Sequence, residues 1–138
     1  MHTRNPLDLK LILTVVAIVE ALYAIAGLMP PHLVLPMTGW VLGADGQWIT
    51  KLLAVALATQ AVTAWVMRGR PHLGVAKALA FYQFASATVD WVIWLALASD
   101  GVFSNSQARA GVLLAIPSHY ALGVWLSLGI RRASSAAA

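Results

Sequence analysis

Four predominantly apolar stretches succeed one another along the chain, approximately Leu11–Met29, Trp48–Met67, Ala78–Ala98 and Ala110–Ile130, with little chain left between them. Spanning a hydrocarbon core takes about 20 such residues in a helix. The pattern therefore predicts an all-α integral membrane fold: one four-helix transmembrane domain over residues 1–138. Pro30-Pro31 stops the first tract, Asp45-Gly46 precedes the second, and Arg68-Gly69-Arg70-Pro71 separates the second from the third. Ser106 is placed to cap the fourth.

Composition strengthens this reading. Of the 138 residues, 60% are hydrophobic and 10% charged, against roughly a quarter charged in soluble domains. The net charge is +4, but the cations sit beside apolar tracts and form no face of their own, which argues against nucleic acid as a partner. There is no cysteine, so disulfides, thiolate metal sites, Fe–S clusters and cysteine nucleophiles are excluded.

Positive charge near the ends of spans resists translocation. Arg4 and Lys10 precede the first span, Arg68, Arg70 and Lys77 lie between the second and third, and Arg131 and Arg132 follow the fourth; the other two loops hold Lys51 and Arg109. Both termini and the middle loop are therefore expected in the cytoplasm, the chain being a multi-pass protein of the cell inner membrane. Basic residues ahead of the first tract and the run Ala24-Ile25-Ala26 also imitate a secretory signal, but Glu20 within that tract suits a retained, functional span.

The loop from Pro30 to Gln47 is apolar, with Leu33, Val34, Leu35, Met37 and Trp40-Val41-Leu42. Its plainer reading is an interfacial segment anchored by Trp40 and Trp48; the sharper one is a lid over a cavity. The stretch Ser99–Ser106 is a turn-rich connection, and Ala133–Ala138 is expected to fray.

Ionisable groups at membrane depth cost roughly 2.5 to 3.5 kcal/mol on insertion scales and are functional candidates by default. Three stand out: Glu20, Asp90 and His119. Counting about 1.5 Å per residue from the flanking cations puts all three within a turn of one depth. Gln83, Ser86, Asp90 and Trp94 recur at helical spacing on the third tract, and Val16, Glu20, Tyr23 and Gly27 on the first. On the fourth, Gly111, Ala115, Ser118 and Leu122 make a small-residue face flanked by His119, with Pro117 loosening the backbone before it. Thr59, Gln60 and Thr63 add a polar face on the second, where the stem of Lys51 can reach a carboxylate or the outer interface.

Two carboxylates cannot both ionise cheaply in a low-dielectric site, so carboxyl and imidazole groups gathered there can exchange protons. The candidate catalytic residues are Glu20 and Asp90 as proton carriers with His119 as partner; Tyr23, Gln83, Trp91, Trp94 and Lys51 are candidate ligand contacts, with Tyr23 and Trp94 as pocket walls. Rings such as Tyr23, Tyr82, Trp91 and Trp94 can also stabilise a cation. No paired-ligand spacing for a metal is present, although a triad of two carboxylates and one histidine is geometrically conceivable. No phosphate loop, nucleophile elbow or redox pair appears, and no cofactor is expected. The plainer alternative is that the acids are interhelical locks.

Short spans, midplane carboxylates, a histidine and many tryptophans together resemble the emopamil-binding and sterol-isomerase group of membrane proteins. The resemblance covers the arrangement of spans and implies binding of sterol-like amines with double-bond shifts by proton transfer; no residue role is carried over from it. The expectation is a midplane polar pocket for an apolar small molecule of lipid, isoprenoid or sterol-like type, with isomerase- or cyclase-type proton transfer. The alternatives are a non-enzymatic accessory subunit of a larger membrane complex, packing through Ala54, Ala58 and Ala61, and a proton-coupled carrier working as a homo-oligomer.

Overall fold

The computed structural model describes residues 7–97 and 105–136. Over these the chain is helical, with α1 Leu9–Leu28, α2 Pro31–Thr38, α3 Ala44–Met67, α4 Leu73–Leu97 and α5 Ser106–Ser135. The four long helices are each long and apolar enough to cross a membrane, as the hydrophobic pattern required. Arg4 and the connection 98–104 lie outside the described residues.

Local chemistry sets the boundaries. Asp8 caps α1, its carboxylate accepting from the Lys10 N–H at 3.0 Å, and α1 ends before Pro30-Pro31, where no N–H remains to continue the helix. The second span begins at Ala44, four residues ahead of Trp48, and takes Asp45 into its first turn, where a negative charge complements the helix dipole. The cap of α5 is Asn105, not Ser106: its Oδ1 accepts from the Ala108 N–H at 2.8 Å. At its far end α5 continues through Ser135, so the expected fraying of Ala133–Ser135 gives way to helix, as their small side chains readily allow.

Within the apolar loop the chain forms α2, which sequence periodicity does not reveal because it is only eight residues long and carries Pro36 internally. Pro31 suits a first helical position, and Gly39 ends the helix with φ 69°. The loop is clipped to α5. Asn105 donates through Nδ2 to the Gly39 carbonyl, and Gln107 Nε2 donates to the Met37 carbonyl at 2.5 Å. A side chain at Gly39 would be strained by its φ and would also meet Asn105 Oδ1 at 2.6 Å.

α1 packs chiefly on α3 and α4 chiefly on α5, while contacts between α1 and α5, and thinner ones between α3 and α4, close the bundle. Small residues allow the approach: a Cβ on Gly27 would come within 2.7 Å of Ala54 Cβ. Ala54 and Ala61, with Leu57 and Ala64, form the buried face of α3. The apolar core, made by Leu9, Ile12, Leu13, Val16 and Ala17 with Ala64, Ala76, Leu79, Ala80, Leu126 and Ile130, lies at the end of the bundle where α1 begins and α5 finishes. Large apolar side chains elsewhere, such as Leu22, Phe81, Leu95 and Leu114, point outward, the disposition a lipid environment favours.

Candidate functional site

A polar layer rests on that core. One turn beyond Val16 on α1 stands Glu20, one turn beyond Leu79 on α4 stands Gln83, and two turns before Leu126 on α5 stands His119. The chain reaches the site as three apolar helices that each change to a polar residue at this level. Glu20 and Gln83 are only 1% and 0% exposed, so neither can turn to water for a partner.

They satisfy one another. Gln83 Nε2 donates to Glu20 Oε1 at 2.5 Å, and Gln83 Oε1 lies 2.6 Å from His119 Nδ1. The result is a continuous hydrogen-bonded chain from α1 through α4 to α5. The Tyr82 ring meets the imidazole edge-on, centroids 6.2 Å apart, and its hydroxyl faces Ser86 and Gln60. Gln60 Oε1 is buried without a hydrogen bond among the described residues. Next to His119, Ser118 donates to the Leu114 carbonyl at 2.7 Å, in the turn whose regular bonding Pro117 interrupts.

The other candidates are placed differently. Asp90 is half-buried and close enough to His119 for their charges to interact, but it lies seven residues beyond Gln83 on α4, about 10 Å along the axis. Glu20 and Asp90 therefore do not share one level. Counting from flanking cations assumed that each marks the same depth, whereas Lys77 stands inside α4, which starts at Leu73, and Lys10 at the very start of α1. Lys51 reaches neither acid: its Nζ donates to the carbonyls of Gly27 at 2.9 Å and Met29 at 2.5 Å, capping the end of α1. Trp91 is 41% exposed, and Trp94 is half-buried a turn past Asp90.

Tyr23 lies on the wall of a groove of about 860 Å³ between α1 and α5, lined by Val19, Leu22, Tyr23 and Ala26 on one side and Ser118, Ala121, Leu122 and Trp125 on the other. The lining is almost wholly apolar, and it runs past the residues that flank Glu20 and His119 in sequence. Among the described residues no three potential metal ligands come together; the Gln83 amide stands between Glu20 and His119. Sequence spacing identified Gln83 as part of a polar stripe but gave no sign that it bridges the other two, since that depends on how far α4 is shifted against its neighbours.

Compared with known proteins, the chain matches no family model, no curated protein and no solved structure.

Proposed function

We propose that this small multi-pass protein takes an apolar small molecule of lipid or isoprenoid type into the α1–α5 groove and handles protons there through Glu20, His119 and Asp90. The observation that carries the reading is the buried Glu20–Gln83–His119 chain together with an apolar groove whose lining includes Val19 and Ser118, the sequence neighbours of Glu20 and His119. Placing a carboxylate and an imidazole at membrane depth is costly, and a lock between helices needs no neighbouring groove. Of the face proposed for an accessory subunit, Ala54 and Ala61 are buried within the bundle and Ala58 is half-buried. Tyr23 lines the groove, while Trp91 and Trp94 stand beside Asp90 on α4.

Purification in native lipid tests this directly. The wild type should retain one apolar species in near-stoichiometric amount by mass spectrometry, and Glu20→Gln should lose it or its conversion. Isolation with partner subunits and no retained species would sink the proposal. The cation distribution supports an inner-membrane location with cytoplasmic termini; an active alkaline-phosphatase fusion at Ala138 would overturn that orientation.

A further inference from the structure

We infer that Gln83 is a positioning residue that holds the His119 imidazole in its Nδ1–H form, leaving Nε2 as the nitrogen that exchanges protons. A glutamine amide has donors on its nitrogen and acceptors on its oxygen, and the two ends are not interchangeable. The nitrogen end lies 2.5 Å from Glu20 Oε1. Reversing the amide would set two acceptor oxygens at that separation whenever Glu20 is a carboxylate. While Glu20 is a carboxylate the oxygen end is committed to His119 Nδ1 at 2.6 Å, and because a carbonyl oxygen only accepts, Nδ1 then carries the hydrogen. A neutral imidazole has one N–H, so the lone pair falls on Nε2.

The same logic fixes histidine tautomers wherever a carboxylate or carbonyl accepts from one ring nitrogen. Here the instruction originates on α1, passes through α4 and is read on α5, with Glu20 and Gln83 too buried for water to replace either bond. As a carboxylate, Glu20 orients the amide, and His119 with Asp90 beside it then exchanges protons through Nε2. The groups facing the ring are the Tyr82 edge and Asp90, both from α4, and Glu20 through the amide; Nε2 makes no hydrogen bond to a described residue.

This assignment rests on the proposed proton-handling role for its use, not for its geometry. The test is solid-state NMR of the full chain in lipid bilayers, with ¹⁵N-histidine labelling and His119 assigned by difference against His119→Asn. At a pH where the ring is neutral, the wild type should show the hydrogen on Nδ1, and Gln83→Leu should shift the population toward Nε2–H. Glu20→Leu, which leaves the amide free to reverse, should give a mixture. An Nε2–H wild type, or a ring carrying hydrogens on both nitrogens at pH 8, would overturn the inference even if no variant folds; so would a Gln83→Leu spectrum unchanged from wild type. Apolar-ligand retention is read on the same samples. Nδ1–H with no retained ligand removes the proposed function and keeps the tautomer, whereas Nε2–H with ligand retained does the opposite.

Discussion

The end of the bundle where α1 begins is sealed by large apolar side chains, and the end where α1 finishes is joined by small residues and hydrogen bonds. At the first, Ile12, Leu13, Val16 and Leu126 are sealed against the alanines of α3 and α4. A groove of about 860 Å³ between α1 and α5 runs alongside the Glu20 layer, its α5 wall reaching back to Trp125 next to the core, and beyond the layer hydrogen bonds join the elements: Lys51 on the last carbonyls of α1, and Asn105 and Gln107 on the α2 loop. Lipid gives helices no hydrophobic reason to associate, so packing and interhelical hydrogen bonds must hold them. The two ends divide these tasks. Large apolar contacts dominate at one and hydrogen bonds at the other, and the polar layer lies where they meet.

The largest effect should come from excavating the packed end. Leu126 is 0% exposed, and Leu126→Ala should cost about 2–4 kcal/mol through lost contacts and the residual cavity, read by reversible unfolding in mixed micelles. A loss below about 0.5 kcal/mol, the size of a typical surface change, would show that this end is no better packed than the other.

Next in size is the layer itself. Gln83→Leu removes both hydrogen bonds and leaves Glu20 and His119 buried without their partner, a cost of about 1–3 kcal/mol. Glu20→Leu combined with Gln83→Leu should recover part of it, because the stranded carboxylate is gone; a purely additive double-mutant cycle would mean the two residues do not interact.

How much of this division was legible beforehand depends on which force sets each feature. The four spans follow from apolar length alone, so Leu11–Met29 anticipates α1 to within two residues at its start and one at its end. Glu20 and His119 were visible because a titratable residue in an apolar tract is conspicuous. Their connection through Gln83 was not, because the axial offset between helices is decided by packing, such as Gly27 against Ala54 and Gly123 against Phe84, which periodicity does not encode. The roles of Lys51 and Asn105 were hidden for a related reason: each binds backbone carbonyls, and carbonyls leave no mark in a sequence.

Lys51→Met tests the open end with a smaller expected effect. Two carbonyls at the close of α1 lose their donor, and a cation leaves the negative end of the helix dipole, together about 1 kcal/mol. Ligand retention should persist, since the ammonium is engaged at the end of α1 and not at Glu20. Loss of the retained species without loss of stability would instead return Lys51 to the ligand site.

The smallest change in stability should accompany the same kind of substitution made in the groove instead of the core. Ala64 is 0% exposed, and Ala64→Leu forces extra methylenes into a filled space at about 1–3 kcal/mol. Ala121 lines the groove, and Ala121→Leu finds room, so its unfolding free energy should stay within about 0.5 kcal/mol of wild type. Its effect should appear elsewhere: the added side chain occupies volume that the apolar ligand needs, and retention measured by mass spectrometry should fall. Equal destabilisation by the two substitutions would mean that the α1–α5 groove closes when the bundle is in a bilayer. A stable Ala121→Leu that keeps its ligand would place that ligand somewhere other than between α1 and α5.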